Sequence, residues 1–217
     1  FSALWISKHS SSAPFISLFP IQHYDQHLSH WINSSESNYD TPLLSKDQQS
    51  RRILDWKRHY YGEHSPWNMT HINATLNKIP PTDLKTMEIN YLDKFSNENK
   101  PARKIGYGVN FRPLPAGWIE RLRRSVNLAQ FDNMTSDSAR RAIATANSSG
   151  RDLPTDEVHF YHYTYAGEGY PFDNLQNAVV WAGTPLYILA ETLNHDWVLV
   201  KTPNIIAWLK ATDIARV

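Results

Sequence analysis

The residues best suited to chemistry in this chain lie on one loop, where Glu168, Tyr170 and Asp173 fall within the run GEGYPFD. A carboxylate set between two glycines can accept from an amine that the bare backbone lets approach, and a tyrosine two positions on adds a ring face and a hydroxyl. Arg151 and Trp181 flank the stretch and are the further candidates for ligand contact. Three other groupings compete with it. Glu157, His159 and His162 carry the residue types of an acid–base site, but positions three apart on a strand face opposite sides. His59, Glu63 and His64 match no metal-ligand spacing and adjoin a turn, which reads as structural. His23, His27 and His30 stand at i, i+4 and i+7 and on a helix would line one face able to hold a divalent metal. With Asp25 the one acid at hand, the expectation there is a short amphipathic turn and no metal.

Composition narrows the chemistry further. At 217 residues, 41% hydrophobic and 20% charged, the chain has the make-up of one large or two small folded domains. Its net charge is +1, with basic and acidic residues interspersed, so nothing calls for nucleic acid as a partner. No run approaches the roughly 18 apolar residues of a membrane helix, and the first residues lack the basic start and long apolar centre of a signal peptide. There is no cysteine, which removes disulfides, thiolate metal sites and a thiol nucleophile. No cofactor, no metal and no catalytic residue is expected of the chain itself.

The elements that must position the loop come in two textures, an α+β organisation. Residues 1–135 form an arm and a helical region. The arm is rich in Ser, His and Asn and carries isolated rings such as Trp5, Phe15, Trp31 and Tyr39, a pattern without period. A helix then follows from Lys46, with Ile53, Trp56 and Tyr60 as its stripe and Gly62 as its stop. Ser65-Pro66-Trp67 reads as an extended corner, and the corner and the Trp56 helix are expected to anchor this region to the body. A second helix starts after Pro80-Pro81 with Thr82 as its cap and Leu84, Met87, Tyr91, Leu92 and Phe95 on one face. A third carries Trp118, Leu122, Val126 and Leu128, with Arg121, Arg123 and Arg124 on the solvated side.

Residues 136–217 change to short β-type runs: Ile143–Thr145, Val158–Tyr165, Ala178–Trp181, Pro185–Ala190, Trp197–Lys201 and Ile206–Leu209. Six such runs make a small barrel, with a hairpin turn at Asn194-His195-Asp196 and a 3₁₀ turn at Ala211–Asp213. Its core is expected to be an independent unit of Ile143, Leu175, Leu186, Ile188, Trp197, Leu199 and Trp208.

Several of these pieces together resemble a known family. RDLPT, GEGYPFDNLQ, GTPLYIL, DWVLV, AWL and TDIA follow the order of the first bacterial SH3 domain of NlpC-type cell-wall cysteine peptidases. HYYGEHSPW resembles that family's N-terminal clip, and YGVNFRPLPAGWIERLRRSVNLAQF its Asn-x-Arg-Pro segment and following helix. Ala207 stands before Trp208 where the family usually has Gly. The resemblance implies an α-rich clip packed on an SH3-like barrel in a periplasmic or secreted bacterial protein, with a catalytic domain that would lie beyond this region. It further implies a non-catalytic role in shaping or binding a peptidoglycan stem peptide through Glu168, Tyr170, Asp173, Arg151 and Trp181. The other reading is a secreted interaction module that binds a protein partner.

Overall fold

The computed structural model describes residues 31–217, together with His27 and Ser29. The chain divides into two units, Phe1–Ser45 and Lys46–Val217. In the first, the described stretch 31–45 is a succession of turns, one of them closed by the Ser35 N–H donating to the Asn33 side chain at 3.0 Å. Trp31 and Tyr39 are exposed there. Trp5 and Phe15 lie outside the described residues, as do His23 and His30 of the three-histidine pattern.

In the second unit four α-helices precede the sheet: α1 (Lys46–Tyr61), α2 (Met69–Lys78), α3 (Pro81–Phe95) and α4 (Ala116–Val126). α1 buries none of its residues. Its apolar stripe is open, with Trp56 stacked on Tyr60 at a centroid distance of 5.1 Å. The last residue of the helix, Tyr61, reaches the sheet region by donating to the Gly183 carbonyl at 3.3 Å, and the other expected anchor, the corner after the helix, carries the attachment. There the Ser65 hydroxyl donates to the Tyr60 carbonyl at 2.7 Å, and Trp67 Nε1 donates to the Ala142 carbonyl at 2.8 Å. α2 was not foreseen in the sequence, although Asn68 caps it by accepting from the His71 N–H and Met69, Ile72 and Leu76 keep helical spacing. α3 begins two residues earlier than a Thr82 cap would give, because Pro81 takes the first helical position, where its missing N–H costs nothing. Asn127, in the left-handed region at φ 51°, ends α4, so Leu128 passes into a 3₁₀ turn rather than extending the helix.

Seven strands follow: β1 (Arg141–Ala144), β2 (Ser148–Arg151), β3 (Gln176–Val180), β4 (Pro185–Glu191), β5 (Trp197–Lys201), β6 (Ile206–Lys210) and β7 (Ile214–Arg216). They form one antiparallel sheet in the order β3-β2-β6-β5-β4-β1-β7, with bulges at Gly150/Arg151 and Ile188/Ala190 that increase its coil. β2 carried no strand signal: Ser148, Ser149 and Gly150 are small, and a Cβ on Gly150 would sit 3.2 Å from that of Ala207. Val158–Tyr165, expected as a strand, does not join the sheet. Phe160 spends both its backbone groups on Tyr107, at 2.7 and 2.8 Å, and the Tyr161 N–H donates to the Glu168 carbonyl at 3.0 Å, so the segment pairs with the interhelical linker and its own loop.

The apolar residues sort by sheet face. Ala142, Ala144, Leu186, Ile188, Val198, Val200 and Leu209 fill the inside of the coiled sheet. Tyr187, Leu189, Trp197, Leu199 and Trp208 face the other way, against Ile72 of α2, Leu84 of α3 and Val126 of α4. Leu153 and Leu175 join Leu92, Phe95, Trp118 and Ile119 in a third cluster. β4 and β5 are thus covered on both faces, which is why PLYILAE and WVLVK read as unbroken apolar runs rather than alternating ones. The independent barrel core expected from the sequence is therefore split: only Leu186 and Ile188 of that set lie inside, and Ile143 is half-buried.

Candidate functional site

The loop from residue 161 to 174 is built on Asp173. Its Oδ1 accepts from the His159 N–H at 3.0 Å and the Leu175 N–H at 3.1 Å, and its Oδ2 accepts from the Arg151 guanidinium at 2.9 Å. Arg151 also donates to the Glu157 carbonyl at 2.8 Å, and its side chain is only 7% exposed. A buried cation needs such a partner, since desolvation otherwise outweighs what packing returns. Asn174 adds a second fastening: its side-chain amide donates to the carbonyls of His159, at 3.1 Å, and Glu168, at 2.8 Å. Gly169 is where the loop closes on itself, for a Cβ there would fall 2.6 Å from the His162 carbonyl oxygen.

Held in this way, the loop presents Glu168 to a cleft of about 340 Å³. Tyr161, Tyr165 and Asn174 line it from the loop, and Lys94 at the end of α3 with Lys100, Arg103 and Lys104 line it from α3 and the segment after it. The Tyr161 and Tyr165 rings are 6.2 Å apart, and the Tyr161 hydroxyl is harder to ionise than usual because of burial and the nearby Glu168 carboxylate. The arrangement offers one carboxylate acceptor, two phenols and a row of cations.

Beside the cleft, Tyr170 is 59% exposed and leans on Phe111 and Phe160, with centroids 5.3 and 5.5 Å away. Phe111 and its neighbour Asn110 both occupy positive φ, 52° and 58°. For a bulky aromatic residue this conformation costs on the order of 1–3 kcal/mol, and here it brings the Phe111 ring onto Tyr170. Behind the loop His159 is buried between Phe95 and Tyr161, with centroids at 4.9 and 5.0 Å. Burial depresses its pKa to about 4, so the imidazole is neutral. Gly106 makes room for it, because a Cβ there would lie 2.1 Å from Nε2.

Of the residues singled out in the sequence, the structure gathers Glu168 and Tyr170 on the open side of one loop and gives Asp173 and Arg151 to each other beneath it. Trp181 is 64% exposed but stands past the far end of β3. Six residues separate it from Leu175, roughly 20 Å along an extended chain. Glu157, His159 and His162 do not converge: Glu157 lies 3.9 Å from Arg121, while His162 Nδ1 is 2.9 Å from the Thr164 hydroxyl. Glu63 sits between Arg58 and His64 at 3.6 and 3.3 Å, an exposed surface cluster. Among the described residues no group of three or more His, Cys, Asp or Glu could hold a metal ion. Sequence reasoning missed Phe111 and the basic wall. PARKIGYGVNF offers a signal for both, a cluster of cations within a few residues of an Asn-Phe pair.

Comparisons with known proteins agree with this architecture. Residues 1–131 match the model of the NLPC_P60 stabilising domain, N term, and residues 159–210 match the SH3 domain of SH3b1 type. No curated protein matches the chain. Among solved structures, an NlpC/P60 endopeptidase from Photobacterium damselae subsp. piscicida aligns with 61% of this chain at 28% identity and a TM-score of 0.53. The chain spans 28% of the length of that endopeptidase chain.

Proposed function

From the premise that this chain belongs to the NLPC_P60 stabilising-domain family, joined to an SH3b domain, we propose that it is the recognition and scaffolding region of an extracytoplasmic bacterial protein directed at the cell wall. The two matched domains are non-catalytic parts of NlpC/P60 peptidases, and the chain carries no cysteine. Its ligand on this reading is a peptidoglycan stem peptide. The observation that carries the reading is Glu168, an exposed carboxylate without an ion pair among the described residues, held at the cleft by a loop whose own charges are already satisfied. Such a group pairs with a free amine, while Tyr170 and Phe111 offer ring faces to a peptide backbone.

Titrating a stem tripeptide into the isotopically labelled chain should shift the amide resonances of 161–174 first. Glu168→Gln should weaken the interaction by about 1.5–3 kcal/mol, the range for a hydrogen bond to a charged group. A loop that stays silent at saturating peptide would overturn the assignment. A second reading, a module that docks a protein partner, is favoured by one feature: α1 leaves Ile53, Leu54, Trp56 and Tyr61 exposed together. Resonance shifts on α1 with a protein partner, and none in the loop with peptide, would support that alternative.

A further inference from the structure

The cleft holds more charge than an amine site needs. Lys94, Lys100, Arg103 and Lys104 converge on it, and none of the four forms an ion pair with an acid among the described residues. Lys94 lies over the Phe95 ring at 4.7 Å, which fixes its direction without neutralising it. Some cations of the helical region are spent, Lys85 on Asp132 at 2.7 Å, Arg123 on Asp93 at 2.9 Å and Arg58 on Asp55 at 3.8 Å, whereas these four share one concave site. The field of Lys94 and Lys100 reaches inward and helps keep His159 uncharged. Like charges gathered in a concave site repel one another unless an anion joins them, and a concave site focuses that field on the ligand.

Glu168 then decides which anion fits. A polyphosphate or a polyanionic wall polymer would meet a carboxylate at the mouth of the cleft and be repelled. A peptide end that carries both an ammonium and a carboxylate satisfies both kinds of charge, the amine on Glu168 and the carboxylate on the basic residues. The volume of about 340 Å³ is near the lower limit for small-molecule sites and suits one or two amino-acid residues, not a long chain. We infer that the cleft between the loop at Glu168 and the Lys100–Lys104 segment is a zwitterion site that selects stem peptides with a free carboxylate over their amidated counterparts. This rests on the stem-peptide reading above and adds the carboxylate requirement to it.

The test is calorimetric titration of the full chain with a stem tripeptide bearing free carboxylates, with its carboxamide analogue, and with inorganic tripolyphosphate. The free acid should bind at least about tenfold more tightly than the amide, as expected when a charge-assisted hydrogen bond is lost. The double variant Arg103→Gln/Lys104→Gln changes two exposed side chains, and circular dichroism would show it folded. In it the acid and the amide should bind alike. Equal affinities in the unmodified chain, with the loop still responding to both peptides, would overturn the carboxylate requirement and leave the stem-peptide reading standing. A preference for acid that persists in the double variant would also overturn it, since the selectivity would arise elsewhere. Binding of tripolyphosphate without binding of either peptide would overturn both.

Discussion

Glu88 is buried in α3, its Oε2 accepting from Trp208 Nε1 at 2.9 Å while Oε1 has no partner. Burial pushes its pKa up from 4.5 to about 8, against the pull of the Trp208 bond. A carboxyl group whose folded pKa lies above its unfolded value adds stability that is complete below pH 4.5 and is lost as pH rises toward 8. His159 works in the opposite direction, since its folded pKa lies below 6.5 at about 4, so its contribution is complete above 6.5 and is lost as pH falls. Above pH 6.5 only a small remainder of that opposition is left. From pH 6.5 to 8 the chain should lose roughly 1 kcal/mol, and Glu88→Gln, which keeps an acceptor for Trp208, should be nearly flat over that range. Urea unfolding at several pH values would show it, and parallel slopes in both proteins would refute it. Glu168 and Tyr170 were legible as exposed loop residues because glycines on a loop announce exposure. Arg151 and Asp173 were not legible as a buried pair, because 22 residues of sequence separate two groups that the fold brings to 2.9 Å.

At the scale of elements, of the two anchors expected, the corner after α1 carries the attachment and the Trp56 stripe of the helix does not. Trp67 is half-buried and donates to β1, whereas Trp56 stacks on its own helix in solvent. Trp67→Ala should therefore cost about 2–3 kcal/mol, below the range for a fully buried Trp. Trp56→Ala should stay within about 0.5 kcal/mol. Equal losses in chemical denaturation would mean that the α1 face is covered in solution. The apolar periodicity of α1 identified a helix correctly and misled about what the stripe touches, since the same pattern serves a core and a docking surface. α2 shows the reverse case, a short helix whose apolar positions are sparse among Asn and Thr and which is secured by Ile72 packing on the sheet.

At the scale of the molecule, α2, α3 and α4 pack against one face of the sheet in shared apolar clusters, while the sheet's other face closes on itself. Trp197, Leu199 and Trp208 are turned toward the helices, so the sheet alone would expose them. A fragment of residues 136–217 should show no cooperative thermal transition and no near-ultraviolet signal of packed tryptophan, while the full chain should unfold its helices and sheet together. Calorimetry on both would decide, and a fragment with its own sharp transition would show that the sheet interior suffices. The cleft draws on both parts of this packing: α3 and its following turn contribute its basic residues, the loop before β3 contributes Glu168, and Asp173 and Phe95 tie both to buried elements.

The sequence by itself determined the class of this molecule: a helical front, a β-rich back, an absent thiol, and a glycine-framed Glu168 on a loop. Those are local properties, written in periodicity, composition and backbone preference over a few residues. Tertiary structure alone decided the rest. It turned Val158–Tyr165 from a strand into the base of the loop, because Tyr107 from a distant linker took the hydrogen bonds of Phe160. It spent Arg151 on Asp173 and gathered four cations into one cleft with Glu168. Each of these depends on which chain segments meet and on how a buried charge finds a partner, and no local pattern encodes a meeting between residues so far apart along the chain.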